Sequence, residues 1–116
     1  MTNRTTILAG LLSCAFLYGA GTAAAVEQAT LRAPDARALG LTEAYRLYCF
    51  KFDPAAASQL QARVDRMIEG DSADVLAGVR AAAAYRTAFD SVTDFVAKVD
   101  ARNAAKPCAE ALAKNW

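Results

Sequence analysis

The spacing of the apolar residues constrains the fold of this chain more than any other feature of its sequence. In the second half of the chain, apolar positions recur at alternating steps of three and four: Val75, Val79, Ala82, Tyr85 (or Arg86), Phe89, Val92, Val96 and Val99. This spacing places the side chains on one face of an α-helix. The β-branched residues stand singly, and no alternating run bounded by turn residues predicts a strand. The sequence therefore predicts an all-α fold.

Proline and glycine divide the chain into four predicted helices. The Asp53-Pro54 pair ends the first helix and begins the second, because proline disfavours helical geometry in the residue before it and suits a first helical turn. Gly70 supplies a left-handed stop after the second helix. The predicted helices cover residues 34–52, 54–69 and 73–103, the third being the longest, and a short last helix begins at Pro107. A small helical bundle is the expected packing of these elements.

Three points in this division stay open. Gly40 either interrupts the first helix or marks its start, and in the second case Thr42 is the cap. Either Asp71 or Ser72 caps the third helix. The apolar seam of the third helix needs a partner along its length, which is supplied within the bundle or by a second copy of the chain as a homodimer.

The first 25 residues have the order of parts that is typical of a signal peptide. One positive charge at Arg4 precedes an apolar run from Ile7 to Tyr18, and the small residues of Ala23-x-Ala25 place cleavage before Val26. The sequence thus predicts a periplasmic or secreted protein with no membrane attachment after cleavage. Its expected organisation is a signal peptide over residues 1–25, a flexible arm over residues 26–33 and one α-helical domain over residues 34–116.

Two alternatives for the N-terminal segment remain. The stretch from Ile7 to Val26 is long enough to span a bilayer as an uncleaved anchor, although its second half is rich in glycine and alanine. The tetrapeptide ending in Cys14 resembles a lipobox, in which Cys14 is lipidated. The residues after Cys14 stay apolar, whereas a lipoprotein normally turns polar there.

Two cysteines remain after cleavage, Cys49 and Cys108. In a small exported domain, such a pair predicts a disulfide. The bond would join the end of the first helix to the start of the last and enclose both long helices. In the chain-entropy model, closing a loop of this length with a disulfide stabilises the folded chain by about 4 kcal/mol. An alanine-rich core of small side chains needs that contribution.

Composition and charge exclude several classes of function. The chain has no histidine, which is the usual general base and the commonest metal ligand. The chain has 13 basic and 12 acidic residues, and removal of Arg4 with the signal peptide makes the two counts equal. The basic excess that is typical of a nucleic-acid binder is therefore missing. Asp90 and Asp94 continue a row with Arg86 and Lys98 at steps of four, which predicts a ladder of surface ion pairs. We expect no catalytic residue, no cofactor and no metal.

The aromatic residues are the one feature that suggests a function. Most of them fill a core at helical spacing, but Phe50 cannot share a helix face with Tyr48 and Phe52. The predicted partner surface consists of Tyr45, Tyr48, Phe50 and Trp116. The leading hypothesis is an exported, non-catalytic module that binds another protein as an accessory subunit, inhibitor or immunity factor. The alternatives are an envelope stress holdase of the small single-disulfide helical type, by analogy of shape alone, and a small enzyme of unknown chemistry.

Overall fold

The computed structural model describes residues 34–116, and every regular element in that range is helical. Five α-helices follow one another, with a 3-10 turn at Ala101–Asn103 before the last: α1 (Ala36–Phe52), α2 (Pro54–Met67), α3 (Ala73–Ala81), α4 (Ala83–Val96) and α5 (Lys106–Ala113). The all-α prediction is confirmed, although this range holds five α-helices where four were expected. The predicted signal peptide, Cys14 and the predicted arm over residues 26–33 lie outside the described residues.

Local signals in the sequence place most of the helix ends. The side chains of Asp35, Asp53 and Ser72 each accept a hydrogen bond from the backbone N–H three residues ahead, at 2.9, 3.1 and 3.2 Å. Each bond satisfies a donor that the first helical turn leaves free. Gly70 has a φ of +80° after α2, the left-handed conformation that glycine adopts without strain. These boundaries are confirmed, and the cap of α3 is Ser72 rather than Asp71.

The prediction of one long third helix over residues 73–103 is wrong. Ala82 is extended, with φ −66° and ψ 143°, and separates α3 from α4, which itself ends at Val96. Alanine favours helix, so no local signal marks this break, and packing between helices overrides propensity. Among the apolar residues of the predicted seam, Val79 and Val92 are buried. Residues 34–116 therefore lack the continuous helix for which the alternatives of a partner within the bundle and a homodimer were considered.

The core forms two clusters of buried side chains, and each includes a residue of α1 and at least one of α2. One surrounds the disulfide, and the other lies between α1, α2 and α3. The first contains Cys49, Ala56, Ala57, Leu60, Cys108 and Ala111, and the second contains Leu39, Val64 and Val79. Leu39 and Leu60 are the largest side chains that are fully buried. The core is therefore thin, because alanine contributes little apolar area per residue.

Gly40 lies inside α1 and marks the closest approach between two helices. A Cβ atom at this position would stand 2.5 Å from the carbonyl oxygen of Tyr85, on the backbone of α4. The missing side chain allows the two backbones to touch. Gly40 neither interrupts α1 nor begins it, and Thr42 does not cap the helix: its hydroxyl donates to the carbonyl of Ala38 within α1.

Candidate functional site

The four residues predicted to form a partner surface divide into two groups. Tyr45, Tyr48 and Trp116 are partly buried and pack against the core cluster around the disulfide. Phe50 stands in solvent, with 75% of its surface exposed. The structure therefore brings three of the four residues together as packing elements and leaves Phe50 on a separate side of α1.

Trp116 ties the end of the chain to α1. Its ring stacks on Tyr45, with ring centres 5.7 Å apart and planes inclined by 17°. Its indole N–H donates to the hydroxyl of Thr42 at 2.7 Å. A buried aromatic ring with a satisfied polar tip is typical of a structural anchor. We infer that Trp116 holds the C-terminal segment in place, which leaves little of it to meet a partner.

Arg63 holds the same segment from α2. Its guanidinium donates to the carbonyl oxygens of Ala111, Leu112 and Lys114 at 3.3, 3.1 and 2.9 Å. The last carbonyls of a helix have no partner within the helix, so a cation there satisfies them and complements the helix dipole. The guanidinium also lies 6.0 Å from the centre of the Trp116 ring.

Tyr48 connects α1 to the segment before α5. Its hydroxyl donates to the carbonyl of Ala104 at 2.6 Å, and its ring packs against Phe52 with centres 4.7 Å apart. Burial raises the pKa of Tyr48 above its usual value. Burial also raises the pKa of Tyr45, and the negative charge of Glu110 raises it further. Both phenols therefore stay neutral at physiological pH and serve packing.

Phe50 and Leu47 form an exposed apolar area on α1. They are three residues apart, so they share a helix face. Leu47 is 53% exposed. Phe50 directly follows Cys49, whose side chain is fully buried in the disulfide to Cys108 with Cα atoms 5.8 Å apart. The predicted disulfide is confirmed, and it fixes the backbone that presents Phe50. We call Leu47 and Phe50, with the neighbouring Arg46 and Lys51, the Phe50 surface.

Glu43 is the centre of a polar cluster that the sequence analysis missed. Its carboxylate is buried, with 6% of the residue exposed. Arg80 of α3 donates to it from Nε at 3.2 Å and from Nη2 at 2.5 Å, and the hydroxyl of Tyr85 of α4 also donates to it. Glu43 thus joins α1 to the helices on both sides of the Ala82 break.

The predicted ladder of ion pairs over Arg86, Asp90, Asp94 and Lys98 does not form. The ion pair found within residues 34–116 is Arg80–Glu43.

The pKa of Tyr85 predicts an alkaline loss of stability. Burial, and secondly the hydrogen bond to Glu43, raise this pKa from 10.0 to about 12. A phenol whose pKa is higher in the folded chain contributes stability that is complete below pH 10 and is lost as the pH rises toward 12. We expect the free energy of unfolding to fall by about 1 kcal/mol in this window, after solvent screening of a partly exposed group.

The Tyr85→Phe variant tests this expectation. It should show a flatter stability profile above about pH 10 and a lower stability at neutral pH, because Glu43 loses a charge-assisted hydrogen bond worth about 1.5–3 kcal/mol. Urea unfolding at several pH values measures both effects. Tyr48→Phe is the comparison: the Tyr48 hydroxyl meets a neutral carbonyl and burial alone raises its pKa, so this variant should flatten the alkaline profile less than Tyr85→Phe does. Equal alkaline profiles for wild type and Tyr85→Phe would contradict the assignment.

The described residues define a class: an all-α, single-disulfide domain with one strongly exposed phenylalanine. Residues 34–116 contain no cluster of three side chains suited to a metal ion. No helix in this range is both long and apolar enough to cross a membrane. Comparisons of the chain with protein-family models, curated proteins and solved structures find no match.

Proposed function

We propose that the protein is an exported, non-catalytic binding domain that docks onto another protein through the Phe50 surface. The observation that carries the proposal is the 75% exposure of Phe50 beside a buried disulfide. A phenylalanine in water contributes little to folding, whereas its burial in a partner contributes about 1.5–3 kcal/mol. Aromatic residues of this kind are frequent anchors of protein interfaces.

The rigidity of the Phe50 surface supports this role. The disulfide at Cys49 and the capped helix boundary at Asp53 hold the backbone on the two sides of Phe50. An anchor on a fixed backbone loses little conformational entropy when it binds. Tyr45, Tyr48 and Trp116, which the sequence predicted to share this surface, support it from the core cluster beneath.

The charges beside Phe50 indicate what the partner surface carries. Lys51 is exposed, and its ammonium lies 5.3 Å from the centre of the Phe52 ring. Arg46 lies one helical turn before Phe50 and is partly exposed. A partner with an apolar pocket and an acidic rim would receive Phe50 and pair with both cations. The absence of histidine from the whole sequence favours binding over catalysis.

A photocrosslinking experiment in the native host tests the proposal. A benzophenone amino acid replaces Phe50 in one variant and the exposed Ala109 of α5 in a matched control. We expect a discrete adduct from position 50 and none of that mass from position 109. Excess unlabelled wild-type protein should compete for the adduct, while Phe50→Ser protein should not. Adducts from both positions, or equal competition by Phe50→Ser, would overturn the proposal.

The Phe50→Ser variant also separates binding from folding. Because Phe50 is exposed, its replacement should change the free energy of unfolding by less than about 0.5 kcal/mol. Loss of competition without loss of stability assigns Phe50 to binding. A large fall in stability, measured by urea unfolding, would show instead that Phe50 belongs to the packing of the domain.

A second candidate, an envelope stress holdase, is favoured by the Glu43 cluster. Glu43 is the acidic group that ties α1 to α3 and α4 through Arg80 and Tyr85. Loss of these contacts would loosen α3 and α4 from α1 and expose apolar surface between the helices. A holdase should then bind an apolar dye and suppress client aggregation near pH 3. An unchanged dye signal and a stable monomer at that pH would exclude this candidate.

A further inference from the structure

A cleft of about 330 Å³ lies on another part of the domain, where the segment after α4 meets the start of α5. Its apolar wall consists of the ring of Phe95, which is 48% exposed, with Val99 and the buried Pro107. The volume falls at the lower end of the range of small-molecule sites. An exposed aromatic ring beside a buried proline gives such a site a fixed apolar surface.

The charged groups around this cleft balance. Lys98 and Lys106 contribute two ammonium groups, and Asp100 and Glu110 contribute two carboxylates. Asp100 keeps its negative charge but is held in place by Asn103, because its Oδ1 atom accepts from the backbone N–H and the side-chain amide of that residue at 3.1 and 3.0 Å.

Three of these groups are left to meet a ligand. Within residues 34–116, Lys98, Lys106 and Glu110 form no ion pair and no side-chain hydrogen bond. Two cations and one anion thus border an apolar wall. All three groups are exposed to solvent, and a simple anion or a simple cation could pair with only one sign of the charge that they offer. A zwitterion satisfies both signs.

We propose that the cleft binds an α-amino acid with an apolar side chain. The carboxylate of the ligand lies toward Lys98 and Lys106, its ammonium group toward Glu110, and its side chain against Phe95 and Pro107. The cleft is small enough for a single amino acid, and recognition of both charged ends distinguishes the ligand from other apolar molecules. This site is separate from the Phe50 surface and does not depend on the proposed protein partner.

Titration of the folded chain with L-phenylalanine, followed by NMR, tests the proposal. At millimolar concentration we expect shifts of the backbone amides between residues 95 and 110. The deaminated analogue 3-phenylpropionate and the decarboxylated analogue 2-phenylethylamine should each bind more weakly by about fivefold, the upper end for one exposed ion pair. Absence of shifts, shifts spread over the domain, or equal binding of all three compounds would overturn the proposal.

Charge-neutralising variants add a second readout. Glu110→Gln should weaken the binding of L-phenylalanine by about fivefold and leave or improve the binding of 3-phenylpropionate. Asp90→Asn removes the same charge from the exposed face of α4, outside the cleft, and should change neither affinity. If the two variants have the same effect, the cleft does not recognise the ammonium group and the assignment of the ligand class is wrong.

Discussion

Replacing both Cys49 and Cys108 with alanine is expected to lower the free energy of unfolding by about 4 kcal/mol. The bond closes a loop with a sequence separation of 59 residues, and the chain-entropy relation gives this value for that length. Typical domains have a total stability of about 5–15 kcal/mol, so the bond supplies a large share. The effect is expected to be strong here because the surrounding cluster consists mainly of alanine.

Urea unfolding of the double variant and of the wild type, followed by tryptophan emission, measures this effect. Trp116 is the one tryptophan of the chain, and it reports whether the segment after α5 stays docked on Tyr45 and Thr42. Wild-type protein treated with a reductant serves as the control and should behave as the double variant does. An unfolding midpoint that is unchanged in both would show that the disulfide adds nothing to the stability of the domain.

Gly40→Ala is expected to destabilise the domain by about 2 kcal/mol, although alanine is the better helix former. The added methyl group would stand 2.5 Å from the backbone carbonyl of Tyr85, and a backbone cannot rotate away as a flexible side chain can. The two helices must separate, and overpacking of this kind costs about 1–3 kcal/mol. The movement would also stretch the hydrogen bond between Tyr85 and Glu43.

Gly78→Ala is the matched control for this prediction. Gly78 lies in α3, and a Cβ atom there would meet nothing within 4 Å. The same substitution should therefore stabilise the domain by about 0.5–1 kcal/mol, as expected for alanine in place of glycine within a helix. Thermal unfolding of the two variants should show shifts of opposite sign. Shifts of the same sign would mean that the contact between α1 and α4 does not restrict position 40.

The features that sequence analysis predicted are those with local physical causes. Asp53 and Pro54 determine a helix boundary through their own backbone preferences and one side-chain bond, and Gly70 acts through its left-handed conformation. The disulfide was also predictable, because only Cys49 and Cys108 remain once the first 25 residues are set apart. Phe50 could be separated from Tyr48 and Phe52 by helix geometry alone.

The features that were missed depend on contacts between distant segments. The break at Ala82 follows no turn residue, and α4, which begins after it, packs closely against α1 where Gly40 meets the backbone of Tyr85. Glu43 meets Arg80 and Tyr85 only after these helices are in place, and periodicity says nothing about such a cluster. The exposure of Leu47 depends on which neighbouring helices cover α1.

We propose that the chain crosses a membrane and folds as a domain closed by the Cys49–Cys108 bond. Intact mass spectrometry of the protein isolated from its host, unfolded in urea with an alkylating reagent and no reductant, tests it directly. We predict a chain that begins at Val26 and carries no alkyl group on either cysteine. A chain that retains Met1 and is alkylated at both Cys49 and Cys108 would contradict the claim.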